Sequence, residues 1–306
     1  MLNKYNEKKP RSQEVIKYSD KHLSEGMKIR CKECGSYIEF LADFEVTKMK
    51  VHTANFCKFR FCSICGWRQA CKDAAKISVL MDYIKAEHKK EFVFVTLTAP
   101  NVKADVLRDE ITRYNKAFKN LTERGAIKII NHGYIRKLEI TYNVERDDYH
   151  PHFHCVFAVN KSYFSGEYYI RQERWLNLWR ELMKDETITQ VDVRRVKSNN
   201  DKEMREFSKY AAKDEDYTHS QDVFDAFYYA LKGRQAITYN GIFADANRMY
   251  KDKELDYYKT RDDTEYVWLI LYQWGGVEYV EKRRREITQE EYKQLKKKSV
   301  DEMALS

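Results

Sequence analysis

The sequence predicts an α+β fold: a central antiparallel sheet flanked by helices, behind a cysteine-rich N-terminal segment. Three observations carry that expectation. Two runs of strand character, Tyr134 to Tyr142 and His152 to Val159, are separated by the polar stretch Asn143 to Tyr149, which is the pattern of a hairpin. Helical patterns are interspersed among strands drawn from neighbouring hairpins. Six of the seven cysteines are crowded between Cys31 and Cys71.

Taken in order, residues 1–29 form a charged lead-in expected to be partly disordered, and residues 30–75 a segment of short strands and loops. From about residue 73 the chain turns helical through Ala74, Ala75, Ile77, Leu80, Met81 and Ile84. A strand from Phe92 to Thr98 is closed by Ala99-Pro100-Asn101 and followed by a helix over 103–123. Beyond the hairpin, Trp175, Leu176, Trp179, Leu182 and Met183 predict a helix over 171–183 with one buried face. Ile188 to Val196 reads as a fourth strand and 200–213 as a helix. The helix at 221–232 has a start signal at Ser220 and a stop at Gly233, with Val223, Phe224, Phe227, Ala230 and Leu231 along its apolar stripe. A late strand region, Tyr266 to Tyr279, precedes a basic helical tail. The main domain is placed at 76–250 and a C-terminal region at 251–306.

The chain, 306 residues long, can bury one substantial core plus a smaller appendage. Its net charge of +8 suits a partner rich in phosphate, although 48 acidic residues dilute the field. With 23 Tyr, 15 Phe and 5 Trp, base stacking is compatible with the composition, while most rings build the core. No long apolar run exists and the stretch from Met1 to Lys21 is polar, so no membrane segment or secretory signal is expected and the cytoplasm is the default location.

Clustered cysteines in a reducing compartment point to a metal rather than to disulfides. Cys31-x2-Cys34 and Cys62-x2-Cys65 have the knuckle spacing of a tetrahedral Zn2+ site, and Cys57 makes five thiols for four positions. Cys71 is the weakest candidate. Such an ion would fasten a segment too small to bury a core, with no open position for catalysis. The same stretch carries Lys58, Phe59, Arg60, Phe61, Trp67 and Arg68. Arg60 and Arg68 are candidates for DNA contact, weighed evenly against a purely scaffolding role.

The most informative segment is His150-Pro151-His152-Phe153-His154. Alternate residues of a strand share a face, so His152 and His154 point one way while Phe153, Cys155, Phe157 and Val159 line the other. On the preceding strand Glu139 shares a face with Lys137 and Thr141. With the hairpin in register it joins the two imidazoles as a ligand set for a divalent cation. Pro151 breaks the alternation, which leaves His150 at the entrance. Further on, Glu206 and Tyr210 stand one helical turn apart with Lys213 nearby: a base, a nucleophile and a cation for a phosphate oxygen.

These pieces occur in a recognisable order: Thr96-Leu97-Thr98, His152-Phe153-His154 followed by Cys155-Val156-Phe157, then Tyr210-x-x-Lys213. In this the chain resembles histidine–hydrophobic–histidine (HUH) endonucleases. It is most similar to the rolling-circle replication initiators of small plasmids from low-GC Gram-positive bacteria. The cysteine-rich N-terminus leading into Cys62-x2-Cys65-x-Trp67-Arg68, and the stretch Ala230-Leu231-Lys232-Gly233-Arg234 through Gly241, extend the likeness over roughly residues 30–250. The resemblance implies an HUH, ferredoxin-like sheet with the histidines on a middle strand. It implies that Tyr210 attacks an origin phosphodiester and becomes linked to the 5′ phosphate, and that His152, His154 and Glu139 hold Mg2+ or Mn2+. Glu206 then activates the water that ends the cycle, with Tyr217 as a spare. Plasmid origin DNA, a host helicase and a host DNA polymerase are the implied partners. Arg194, Arg195, Lys197 and Lys202 are candidates for phosphate contacts, against a solvated face at least equally favoured. The rival readings are a single-tyrosine transposase, a non-catalytic zinc-containing DNA-binding regulator and a small-molecule metallohydrolase.

Overall fold

The computed structural model describes residues 1–196 and 214–292. In chain order the N-terminal elements are α1 (Leu2–Ser19), α2 (Glu25–Glu33), β1 (Tyr37–Ala42), β2 (Met49–Ala54) and α3 (Ser63–His88). There follow β3 (Lys90–Thr98), α4 (Ala104–Glu123), α5 (Gly125–Ile130), β4 (Gly133–Asn143), β5 (Asp148–Asn160), α6 (Gln172–Met183) and β6 (Val191–Val196). After residue 213 come α7 (Asp214–Tyr217), α8 (Gln221–Leu231), β7 (Ile237–Gly241), α9 (Ile242–Lys251), β8 (Trp268–Trp274) and β9 (Tyr279–Glu286). The expected helix at 200–213 lies outside the described residues. No helix among the described residues is long and apolar enough to cross a membrane.

The fold is α+β, with two antiparallel sheets in two compact units, Met1–Ala75 with Lys259–Ser306 and Lys76–Tyr258. The second unit holds a five-stranded sheet in the order β6-β3-β5-β4-β7, so the histidine-bearing β5 is its central strand. Register pairs Glu139 with His152 and Leu138 with Phe153 across β4 and β5, and Thr98 with His152 and Thr96 with His154 across β3 and β5.

One face of this sheet is an aromatic core. Phe153 meets Tyr114 and Phe118 of α4 at ring separations of 5.4 and 5.7 Å, and Phe157 meets Trp175 of α6 at 5.5 Å. Arg136 spreads its guanidinium over Phe118 and Phe153, 4.8 and 4.4 Å from the ring centres. The other face is divided along its length. Phe92, Phe94, Ile135, Val156 and Ala158 pack with Ile77, Leu80, Met81 and Ile84 of α3 and with Phe243 and Ala246 of α9. Further along the same face stand Thr96, Thr98, His152, His154, Lys137 and Glu139. The sequence thus changes from apolar to polar midway along three adjacent strands, leaving a polar half-face where the helix packing ends.

Local signals hold where their chemistry is strong. Ser220 accepts a hydrogen bond from the Val223 amide at 3.2 Å and starts α8, and Gly233 takes a φ of 74° just beyond its end. Gly133 and Gly241 pair where β4 meets β7, and a Cβ on Gly133 would lie 2.5 Å from the Asn240 carbonyl oxygen. No residue with a side chain fits that crossing.

The first unit departs from expectation. The lead-in is helical over Leu2–Ser19, because Tyr5, Ser12, Val15 and Ser19 recur at helical spacing and are buried despite the surrounding charge. Helix α3 begins at Ser63, about ten residues earlier than its apolar pattern suggests. The late strand region is a hairpin, β8 with β9, in a four-stranded sheet of order β2-β1-β8-β9. Residues assigned to a basic helical tail are strand over Tyr279–Glu286, and residues 293–306 lie outside the described ones. Long-range pairing of β8 with β1 joins the C-terminal segment to the cysteine-rich one, which no local pattern reports.

Trp179 of α6 is fully buried, and its indole N–H donates to the Thr98 carbonyl at 2.8 Å. Trp179→Ala should cost about 3–5 kcal/mol in denaturant unfolding followed by circular dichroism. A loss below about 1 kcal/mol would mean that α6 does not hold this sheet.

Candidate functional site

On the polar half-face, one ligand atom from each of Glu139, His152 and His154 lies within 4.8 Å of the others. Glu139 Oε2 is 3.1 Å from His154 Nε2 and 3.7 Å from His152 Nε2. Neighbouring ligands about 2.1 Å from one ion sit roughly 3 Å apart, so the trio matches adjacent positions around a divalent cation.

The other ring nitrogens are already committed. His152 Nδ1 faces the His150 carbonyl at 3.2 Å, and a carbonyl can only accept, so Nδ1 carries the proton. His154 Nδ1 lies 3.2 Å from Thr96 Oγ1, and Phe94 stacks on the ring at 5.5 Å. For His152 this leaves the Nε2 lone pair towards the carboxylate, whereas the Thr96 hydroxyl can serve His154 Nδ1 in either tautomer. Two ring nitrogens and a carboxylate oxygen thus converge as a donor set that a divalent cation could bridge.

Electrostatics agree. Burial raises the Glu139 carboxyl, but the two imidazoles and Lys137 outweigh it and hold the group well below the usual carboxylate range. Burial lowers His154 in spite of Glu139, so their contact joins a carboxylate to a neutral ring. Lys137, 2% exposed and opposite His154 in register, is a buried cation beside the trio. His150 stays outside the ligand set. It hydrogen-bonds Thr98 Oγ1, and burial lowers it to about 4.

In the first unit Cys34, Cys57, Cys62 and Cys65 bring their sulfurs within 4.8 Å of one another. The separations Cys34–Cys62, Cys34–Cys65 and Cys57–Cys65 are each 3.6 Å. Sulfurs about 2.3 Å from a tetrahedral ion lie roughly 3.8 Å apart, so this set fits zinc-like geometry. Backbone amides of Cys57 and Lys58 point at Cys34 and Cys65 sulfurs at 3.3 and 3.2 Å, and the Ser12 hydroxyl lies 3.0 Å from Cys62. Crowding by the other three sulfurs pushes Cys34 far above its ordinary thiol range while the same contacts lower Cys62. Four thiols packed so closely cannot all ionise without a cation among them. Cys31 and Cys71 fall outside the four.

A family model described as a replication protein (Rep_1) matches residues 48–280. The chain belongs to the replication protein family. It is 49% identical over 217 residues to a "Protein rep" of Staphylococcus aureus, an alignment covering 71% of this chain and 95% of that protein. A "Protein rep" of Bacillus amyloliquefaciens is 34% identical over 243 residues, 72% of this chain and 71% of that protein. Another from a Bacillus species is 35% identical over 239 residues, 70% and 78% of the respective chains. No solved structure matches the chain.

The family match spans Glu139, both histidines and Tyr210, and begins after Cys34, which nevertheless joins the thiol set. Tyr210, Glu206, Lys213, Lys197 and Lys202 lie outside the described residues. Tyr217 is buried, edge-on to Phe224 and Phe227. Arg68 is engaged internally, 4.2 Å above the Phe56 ring and donating to the Tyr5 hydroxyl, whose pKa burial pushes up to about 12. Arg60 is exposed. On the edge strand β6, Arg194 pairs with Asp192 at 2.9 Å, and Arg195 lies over Phe164 at 4.4 Å and 3.5 Å from Glu91. Sequence reasoning missed the supports of the histidines, Phe94 and Thr96. Their alternation along β3 with Thr98 was the available signal.

Purified protein should carry one equivalent of a thiolate-bound ion by metal analysis. Cys34→Ser and Cys65→Ser should lose it together with thermal stability, whereas Cys71→Ser and Cys31→Ser should retain it. Retention in Cys34→Ser with loss in Cys31→Ser would reverse the ligand assignment.

Proposed function

We propose that the chain is an origin-specific, metal-dependent DNA nickase that initiates and terminates rolling-circle replication of a plasmid through a 5′-phosphotyrosyl intermediate. The observation that carries this reading is the trio Glu139, His152 and His154 on the central strands of a member of the replication protein family. A divalent ion bound there, Mg2+ or Mn2+, would supply Lewis-acid polarisation of the non-bridging phosphate oxygens. The family match favours replication over transposition and over a role limited to regulation.

In this mechanism the protein's residues divide the work. His152 and His154, fixed at Nδ1 by the His150 carbonyl and Thr96, keep their Nε2 atoms turned to the phosphate-binding side. Tyr210 attacks phosphorus, forming the Tyr–O–P bond and breaking the bond to the 3′ oxygen. That oxygen gains a proton and leaves as the 3′ hydroxyl that primes a host polymerase behind a host helicase. A phenol of pKa roughly 10 is a weak nucleophile, and Lys213 offsets charge on the phosphate as it attacks. Glu206 takes a proton from water in the closing step, so that water cleaves the phosphotyrosyl bond and regenerates Tyr210. Asp214, next after Lys213, opens α7, and Asp216 of that helix accepts from the Tyr142 amide of β4 at 3.3 Å.

On supercoiled origin plasmid, Tyr210→Phe should abolish nicking and the covalent DNA adduct on a denaturing gel while leaving binding intact. His152→Ala should slow cleavage on the order of 100-fold or more. Glu206→Ala should nick and then release product slowly; unchanged hydrolytic turnover would remove that role. Binding should weaken steeply as salt rises. A Tyr210→Phe protein that still forms the adduct would overturn Tyr210 as the nucleophile, and a parent protein that neither nicks nor forms an adduct with its origin would overturn the nickase reading.

A further inference from the structure

The first unit carries an exposed aromatic that its own core does not explain. Phe44, at the turn between β1 and β2, is 73% exposed. A single exposed apolar residue is ordinary, but this one is held in place. The Asp43 carboxylate accepts from the Thr47 amide at 2.7 Å, the Thr47 hydroxyl at 2.7 Å and the Lys48 amide at 3.0 Å. The Trp268 indole N–H donates to the Phe44 carbonyl at 3.1 Å, and the two rings lie 6.4 Å apart at 31°. A ring fixed this way loses little freedom when something stacks on it.

Its surroundings carry both signs, with Asp43 and the exposed Glu45 on either side of it in the chain and two cations within reach. Lys48 closes the same turn and is exposed. Arg284 of β9 lies 6.0 Å from the Trp268 ring centre. It pairs with Glu281 at 2.7 Å, an exposed pair worth little in water and open to exchange for a phosphate. Arg283 and Arg285 are likewise paired, with Glu39 and Glu291 at 3.2 and 2.6 Å. Of the basic run on β9, then, Arg284 is the member beside the aromatic pair.

We propose that Phe44, backed by Trp268, is a stacking platform for an unpaired DNA base, with Lys48 and Arg284 receiving the adjoining phosphates. An aromatic face with cations in reach is the chemistry that takes single strands without base preference. Phe44 and Arg284 lie outside the family match at 48–280, and Lys48 and Trp268 lie inside it. The proposal rests on the reading that the chain binds DNA, and makes no use of cleavage.

The test uses the full chain carrying Tyr210→Phe, so that cleavage plays no part. Binding is followed by anisotropy and by fluorescence of a single-stranded oligothymidylate bearing one 2-aminopurine. Phe44→Ala should bind on the order of tenfold more weakly and lose the stacking-dependent fluorescence change, while Phe44→Trp restores both. Arg284→Ala should reduce the salt slope by about one without removing that change. Unaltered affinity and fluorescence in Phe44→Ala, with DNA binding intact in the parent, overturns the platform alone. Absence of any DNA binding by the parent overturns the platform and the reading beneath it.

Discussion

The candidate centre depends on the register of one strand. β5 is paired on both sides, and its pairing sets Glu139 and Thr98 on either side of His152. Side chains alternate with a period of two, so a slip of a single residue would turn the histidines into the aromatic core and Phe153 out of it. Burying two imidazoles among Tyr114, Phe118 and Trp175 while exposing Phe153 and Phe157 is costly on both counts. The aromatic face therefore fixes where the polar face can be. Packing at one side of the sheet is what makes chemistry available at the other.

The divided face extends the same logic along the strands. Where α3 and α9 cover β3, β4 and β5, the inward residues are Phe92, Phe94, Ile135, Val156 and Ala158. Beyond that cover the same rows continue as Thr96, Thr98, His152, His154 and Glu139. Phe94 belongs to both regions: it completes the apolar cluster and stacks on His154. The most buried member of the trio, Glu139, is 4% exposed and lies beside a buried lysine. A carboxylate kept ionised so far from water is tolerable because cationic and hydrogen-bonding partners surround it.

The first unit solves a different problem. Its small sheet has only a modest apolar core, built on Phe40, Ile270 and Tyr5, and the four-thiol set is part of that same cluster. The four thiols here act as core residues, and α1 closes over them. Lys9 donates to the Cys34 carbonyl at 2.6 Å, and Tyr5 packs edge-on to Phe40 and Trp67. A charged lead-in expected from the sequence to be partly disordered is helical over Leu2–Ser19, ordered by what it covers.

Periodicity and spacing by themselves determined the α+β class, the hairpin and its loop, the opposed faces of β5, and the helix bounded by Ser220 and Gly233. They also brought together Glu139 with the two histidines, and gathered the thiols to within one choice of five. These are local or near-local facts, written in alternation, helical spacing and capping chemistry. Tertiary structure alone decided that Cys34 rather than Cys31 joins the four, that β8 pairs with β1 across the length of the chain, and that Arg68 turns inward to Tyr5. It also decided that the basic run after Tyr279 is a strand and that Lys137 is buried beside the trio. Each of these is set by which surfaces meet, and residues distant in sequence leave no local pattern that says which partner removes them from water.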